Sequence, residues 1–329
     1  MIRDWTDSLK FDGISAEAER LFTRLVEGSS LVSAALEGTT QVRSTHDLVV
    51  ASLARFEDRV KGRLSPMGIP TLPDLDHRLR GMHPGRLWVI GAYPSGGKSL
   101  LASQIVTDAA MEGVPSAYIT LEMSEDDQTD RMLIQAGRVD SKTFMDPGKV
   151  PAVVFLTQTR AGAKRLVDSK IQVVRPPKRT LGMVLGAIYR VHRELGAKVI
   201  AIDYFQLITV PGKKARTRED EASEISHALQ NIAGELGVTL LILTQLNADG
   251  DTKHGRVIEE DADVFLTIDQ DRNRESETYK NHTGMTLVKD RHTGCGGERI
   301  PLFLNRSTLR FQTGTFPDKG EKQSKRRTR

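Results

Sequence analysis

One short segment constrains this chain more than any other: Ala92-Tyr93-Pro94-Ser95-Gly96-Gly97-Lys98-Ser99. An apolar run, Arg86 to Gly91, precedes it with the pattern of a buried strand. Ser99 to Met111 follows with the pattern of a helix. Strand, glycine-rich turn, lysine, hydroxyl residue, helix is the context of a phosphate-binding loop. The glycines let successive backbone N–H groups close on phosphate oxygens, and the helix N-terminus adds partial positive charge. Lys98 can reach the β and γ phosphates, and the Ser99 hydroxyl can ligand Mg²⁺. Ala92 stands where the usual pattern has its first glycine, and a small residue still permits the turn. The implied ligand is a nucleoside triphosphate, ATP, with Mg²⁺. Its binding set is Ala92, Ser95, Gly96, Gly97, Lys98 and Ser99.

Such a loop needs a sheet behind it, and the following residues predict one. Strand patterns at Ser116 to Leu121, Ile171 to Val174, Lys198 to Asp203 and Val238 to Thr244 alternate with helix patterns. The helices fall at Glu125 to Gly137, Thr180 to Leu195 with Thr180 as cap, and Asp220 to Leu236. This alternation predicts an α/β fold, with a mainly parallel central sheet and helices on both faces. After Asp263 the runs DVFLTI, GMTLVKD, RIPLFLN and TLRFQ predict antiparallel edge strands. Lys142 to Asp168 carries no clear period. Upstream, Val49, Leu53, Phe56 and Val60 fall on one face of a helix from Thr45 to about Lys61. Ser65-Pro66-Met67-Gly68, Pro70 and Pro73 break it. The predicted organisation is a short helical segment 1–44, a linker helix within 45–66, a catalytic domain 67–314 and a basic tail 315–329.

Charge narrows the search for a nucleic-acid surface. The chain has 329 residues and a net charge of +4. Lys319 to Arg329 carries six basic residues and one acid, so residues 1–318 sum to −1. The body is not globally basic, and nucleic-acid affinity must come from local patches. The tail lacks apolar residues and reads as disordered. One cysteine, Cys295, excludes a disulfide framework within the chain. No apolar stretch reaches membrane-spanning length, and no signal-peptide pattern follows Met1, so the expected location is cytoplasmic.

Polar residues at predicted strand ends are the catalytic candidates, because open α/β sheets bind ligands there. Asp203 ends the run VIAID and would hold Mg²⁺ through water. A strand-ending Asp is common, and its pairing with the loop singles this one out. Glu122, in TLEMS, can polarise an attacking water or, alternatively, cap the next helix. Gln245, in TQLN, can contact the γ-phosphate or lie in a solvated loop. Pro211 to Arg218 holds Lys213, Lys214, Arg216 and Arg218 with no acid and no aromatic, which suits phosphate tracking on nucleic acid or simple solvation. Asn247 to Arg256, with Lys253, His254 and Arg256, is a second candidate loop.

Beyond the loop, the chain resembles the C-terminal motor domain of DnaB-type replicative helicases, in the RecA-like group. The matching segments are GIPTLPDLDHRLRGMHPGRLWVIGAYPSGGKS, YITLEMS, RMLIQAGRVDSKTF, IDYFQLI, EISHALQNIAGELGVTLLILTQLN, IEEDADVFLTI and KDRHTG. They run in the family's order between about Gly68 and Gln312, and Ala92 is similar to the family's own variant of the loop. The resemblance implies a catalytic role for Glu122, a Walker B role for Asp203 and a coupling role for Gln245. It also implies that Lys289 and Arg291 enter the neighbouring subunit's ATP site, with Arg291 as an arginine finger. An arginine supplied in trans makes hydrolysis depend on assembly. The implied activity is ATP-driven translocation on single-stranded DNA by a homo-oligomer, a hexameric ring, with a loader or primase as partner and a 5′–3′ direction. The family's helical collar domain has no match in residues 1–44. The connection after Asn247 is shorter than in the family. A recombinase-like filament and an accessory or loading partner of another helicase are the alternative uses of such a domain.

Overall fold

The computed structural model describes residues 44–63, 68–146, 148, 152–212, 217–247, 257–270 and 282–314. Helix α1 (Thr45–Val60) is capped by Ser44, whose side chain accepts from Asp47 N. None of its residues is buried. Val49, Leu53 and Phe56 are each more than half exposed, so the apolar face does not pack on the domain's own core. A short α2 (Pro73–Leu79) then leads to the sheet.

Nine strands form that sheet, in the order β3-β2-β4-β5-β1-β6-β7-β8-β9. They are β1 (Leu87–Ala92), β2 (Ser116–Thr120), β3 (Ile171–Val174), β4 (Val199–Asp203), β5 (Thr239–Gln245), β6 (Val264–Gln270), β7 (His282–Asp290), β8 (Arg299–Asn305) and β9 (Arg310–Thr313). β1 to β6 pair in parallel and β6 to β9 antiparallel, as the alternating and then strand-rich patterns predict. β1 lies between β5 and β6 and is buried along its whole length. Side-chain parity divides it between two cores. Leu87 and Val89 enter the layer under α7 (Leu181–Leu195) and α8 (Arg218–Leu236). Trp88, Ile90 and Ala92 enter the layer under α3 (Lys98–Met111). Burial on both faces is why this strand reads as one unbroken apolar run.

The unassigned stretch 142–168 resolves into α5 (Ser141–Met145), after α4 (Glu125–Gly137), and α6 (Ala152–Asp168). Its first turn is set by a cap outside the stretch, Asp140, which accepts from Thr143 N at 2.8 Å. Thr180 stands at the N-cap of α7 but its side chain makes no capping bond. It is held instead by a backbone bridge to Thr209, with Leu181 N donating to Thr209 O at 2.8 Å. Helix α8 begins at Arg218, two residues earlier than its charge pattern predicts. Thr217 and Asp220 form a reciprocal capping box at its start. The segments 1–43, 213–216, 248–256 and 315–329, with the helical, loop and tail expectations placed on them, lie outside the described residues.

Candidate nucleotide site

The phosphate loop leaves the carboxyl end of β1. Ala92 is the last strand residue, fully buried, and sits in register with Gln245 on β5 and Ile268 on β6. Gly97 has φ 89° and starts α3, a backbone conformation that a side chain rarely adopts. A Cβ there would also stand 2.7 Å from the Phe311 ring. That ring comes from the edge strand β9, which Gln104 of α3 grips from both sides: Phe311 N donates to Gln104 Oε1 at 2.7 Å, and Gln104 Nε2 donates to Phe311 O at 3.0 Å. Arg310 adds a bidentate pair with Asp108 at 2.9 and 2.6 Å. The far edge of the sheet therefore buttresses the phosphate loop.

Lys98 Nζ lies 4.7 Å from the centroid of the Tyr204 ring, a contact worth about 0.5–1 kcal/mol at an exposed site. A phosphate group offers the ammonium a stronger partner. Burial raises the Tyr204 phenol above its ordinary pKa, and the charges of Glu122 and Asp203 push the same way. Glu122 is exposed, on the turn after β2. That turn is shaped by Thr120, whose hydroxyl donates to Met123 O at 2.8 Å and accepts from Met123 N at 3.1 Å. Helix α4 is capped by Ser124, which accepts from Asp127 N at 3.0 Å, so Glu122 does not serve as that cap. Leu121 N donates to Asp203 O at 2.8 Å and ties the two carboxylate-bearing strand ends together.

Asp203 is 1% exposed. Its Oδ2 accepts from the Tyr118 hydroxyl at 2.8 Å, while Oδ1 is buried with no partner. An orphaned carboxylate oxygen beside a phosphate loop fits a Mg²⁺ ion bound through water. Among the described residues no group of three or more His, Cys, Asp or Glu could hold a metal by itself. Mg²⁺ takes one or two protein ligands and completes its shell with phosphates and water. Ser99 and Asp203 would hold such an ion, and it would neutralise phosphate charge.

Gln245 ends β5 beside Ala92, and its backbone is clamped by a residue that sequence reasoning missed. Gln206, on the single turn Phe205–Leu207, donates to Thr244 Oγ1 at 2.8 Å and Gln245 O at 3.3 Å. It accepts from Gln245 N at 3.2 Å. Its signal was one amide inside the apolar run IDYFQLI. Tyr118, a phenol inside the apolar run SAYITL, was missed in the same way. The clamp joins the chain leading to the loop after Pro211 with the strand leading to the loop after Asn247. Of the basic residues proposed for those loops, Lys213, Lys214, Arg216, Lys253 and Arg256 lie outside the described residues. Arg218 is described as the first residue of α8, exposed, with the acids Glu219, Asp220 and Glu221 behind it in the first turn.

Lys289 and Arg291 are nowhere near this cluster. Asp290 pairs with Val264, at the start of β6, and Arg291 N donates to Asp263 O at 3.0 Å. Asp263 in turn accepts from Leu87 N at 2.9 Å, at the start of β1. The phosphate loop begins at the other end of that strand, roughly 17 Å away at the usual strand rise. Lys289 Nζ donates to Glu259 O and Glu260 O at 2.8 and 2.6 Å. The Arg291 guanidinium donates to Glu260 O and lies 3.8 Å from Asp263 Oδ1. The accepting carbonyls belong to α9 (Val257–Asp261). Burial lowers the Lys289 ammonium below its ordinary pKa, and the Arg291 charge lowers it further. A register shift between Phe265 and Leu266, opposite Lys289, re-aims the end of β7. A cleft of about 440 Å³ beside the turn after β7 is lined by His77, Arg78, Arg80, Thr293, Cys295 and Glu298.

Residues 68–313 match the model of the DnaB-like helicase C terminal domain. The chain belongs to this family. The replicative DNA helicase DnaB of Leifsonia xyli subsp. xyli is 30% identical over 298 residues, which cover 86% of this chain and 64% of that protein. The DnaB of Geobacillus stearothermophilus is 30% identical over 244 residues, covering 70% of this chain and 53% of that protein. The chain thus spans between half and two thirds of these relatives' length. Among solved structures, one described as an ATPase domain aligns with a TM-score of 0.71 at 20% identity, covering 81% of this chain and 99% of that one. A DnaB-like replicative helicase, described with its interactions with primase, aligns with a TM-score of 0.71 at 20% identity over 94% of this chain and 76% of that one. These two likenesses bear on the fold alone, an α/β domain with a mainly parallel sheet and antiparallel edge strands.

Proposed function

We propose that this DnaB-family domain is the ATP-hydrolysing motor of a ring-shaped helicase that moves on single-stranded DNA, with each ATP site completed by the next subunit. The observation that carries this reading is the position of Arg291. Within one chain it stands at the amino ends of the strands, while Lys98, Ser99, Glu122, Asp203 and Gln245 gather at the carboxyl ends. A finger so placed cannot serve its own phosphate loop and can serve a neighbour's. In this reading Lys98 binds the β and γ phosphates, Ser99 and Asp203 hold Mg²⁺, and Glu122 polarises the attacking water. Gln245 reports the γ-phosphate, through the Gln206 clamp, to the loops after Pro211 and Asn247, where Lys213, Lys214, Arg216, Arg218, Lys253 and Arg256 follow the DNA backbone. Lys289 braces the finger.

Helix α1 supports assembly. Its uncovered face of Val49, Leu53 and Phe56 suits an adjacent motor domain, since burying each such side chain contributes about 1.5–3 kcal/mol. A loader or primase is the further partner class in this reading. Among the described residues no helix is long and apolar enough to cross a membrane.

The test is ATPase rate with and without single-stranded DNA, alongside mass by light scattering. The expected result is DNA-stimulated turnover by a closed ring, lost together with the ring in a Leu53→Glu/Phe56→Glu variant. Filaments on DNA would favour a recombinase-like use. Slow, DNA-independent turnover by a chain that joins another helicase would favour an accessory role.

A further inference from the structure

Three fully buried side chains in the contact between α3 and α4 are polar: Ser103 on α3, and Gln128 and Gln135 on α4. Gln128, Arg131 and Gln135 follow the i, i+3, i+7 spacing of one helix face. Apolar residues at such a contact lose nothing by leaving water. Buried polar groups cost free energy unless they meet partners, and a satisfied network then fixes one arrangement.

Here the partners form a line. The Arg131 guanidinium donates to Gln128 Oε1 at 3.2 Å, and Gln128 Nε2 donates to the Ser103 hydroxyl at 3.0 Å. That hydroxyl donates to Gln135 Oε1 at 2.9 Å. Gln135 Nε2 donates to Leu100 O at 3.0 Å and to Leu309 O at 2.7 Å. Arginine only donates and carbonyls only accept, so the sense of the line is fixed from both ends. One end lies in the first turn of α3 and at the entry to β9, whose Phe311 ring abuts Gly97. At the other end Arg131 also donates to Met123 Sδ at 2.9 Å, and Met123 is the neighbour of Glu122. Leu121 N ties the Glu122 turn to β4. The line ties it to α3, the helix that carries Lys98 and Ser99.

We propose that Gln128 and Ser103, anchored by Gln135, are positioning residues for hydrolysis: they set the Glu122 turn against the phosphate-loop helix and so fix the reach of that carboxylate to the attacking water. This rests on the reading of Glu122 as the group that polarises the water. Gln128 and Ser103 are buried inside the protein, and the loop backbone and Lys98 bind phosphate without them. Cutting the line therefore acts on the hydrolysis step and leaves nucleotide affinity as it was.

The experiment is single-turnover hydrolysis of prebound ATP on single-stranded DNA, beside the affinity for a fluorescent ATP analogue in Mg²⁺ and the melting temperature. The proteins are the wild type, Gln128→Leu, Ser103→Ala, their double variant, Glu122→Gln and Ile105→Val, a buried change on α3 outside the line. Gln128→Leu and Ser103→Ala should each hydrolyse about tenfold more slowly with affinity within about twofold, since misplacing a reacting group by an ångström costs up to about a hundredfold. The double variant should be at most about twofold slower than Gln128→Leu, because one cut already frees the turn. Ile105→Val should melt lower yet hydrolyse within about twofold of the wild type. Affinity that falls as far as the rate overturns the proposal. So does a lowered melting temperature with the rate unchanged, which makes the line packing only, and so do rate losses that multiply in the double variant. An Ile105→Val as slow as Gln128→Leu overturns it too, by tying the rate to stability alone. Should Gln128→Leu fail to melt cooperatively, Gln128→Met carries the same prediction on an unbranched side chain that adapts to its site. Glu122→Gln separates the two readings. If it hydrolyses as fast as the wild type, the role given to Glu122 falls and this proposal with it. If it is inactive while Gln128→Leu is not slowed, this proposal alone falls.

Discussion

The two ends of β1 are built on opposite terms. At the carboxyl end the polar groups are left wanting: Asp203 Oδ1 has no partner, Glu122 stands in solvent, and Lys98 rests against a ring. At the amino end the charged groups are held. Lys289 and Arg291 both donate to the carbonyls that close α9, and Asp263 ties Arg291 to the first residue of the strand. An end with open acceptors and donors is built to receive a ligand. An end with its cations braced by protein is built to present them. In the proposed reading, the two ends are halves of one site that no single chain can close.

Mixing subunits is the sharpest way to break that comparison. Arg291→Ala should lower DNA-stimulated hydrolysis by about 10³-fold or more, the scale of an arginine finger, while nucleotide binding persists. Lys98→Ala should lower hydrolysis by about 10²–10³-fold and weaken binding as well. A mixture of the two inactive proteins should regain turnover in a coupled ATPase assay, because some interfaces then pair an intact loop with an intact finger. Full turnover by Arg291→Ala alone, or no recovery on mixing, would return the site to one chain.

A subtler change acts only at the amino end. Asp263→Ala removes the acceptor for Leu87 N and the ion-pair partner of Arg291. It should cost about 1–3 kcal/mol in stability, read by urea unfolding. Hydrolysis by the ring should fall while nucleotide affinity stays as it was. A loss of affinity instead would mean that the two ends of the strand are coupled through its backbone.

The carboxyl end was far more legible in the sequence than the amino end. Lys98, Ser99 and Asp203 sit on or beside buried strands, where local pattern dictates position: an apolar run ends and a polar residue must stand at the edge. The parallel order of the sheet followed from the same alternation. Arg291 had no such signature. Its placement depends on Asp263 and α9, which meet it only through the pairing of β7 with β6, and no local period encodes a long-range pairing. The run IEEDAD gave a family match but not its job, since what Glu259 and Glu260 contribute is their main-chain carbonyls. Tyr118 and Gln206 were hidden for another reason. A single polar atom in an apolar run scarcely alters the pattern, yet its partners decide what the site can do.

The smallest expected effect probes how firmly the carboxyl end is closed from outside. Asp140 accepts from Ser307 Oγ at 2.6 Å and from Thr143 N at 2.8 Å, and Ser141 N donates to Ser307 O at 2.7 Å. These bonds clasp α5 to the turn between β8 and β9, the strand that buttresses the phosphate loop through Phe311. The Ser307 bond above all, with those from Thr143, lowers the Asp140 carboxyl to about 2. A depressed acid stabilises the folded chain above its unfolded pKa, about 3.9, and that contribution is lost as pH falls through the folded value. The group is partly exposed, so screening keeps the effect small. Asp140→Asn should therefore melt slightly below the wild type at neutral pH, and the gap should narrow between pH about 4 and about 2. A gap that stays constant across that range would mean the clasp holds through Ser141 and the backbone alone. The carboxyl end would then be rigid without any charge at its rim.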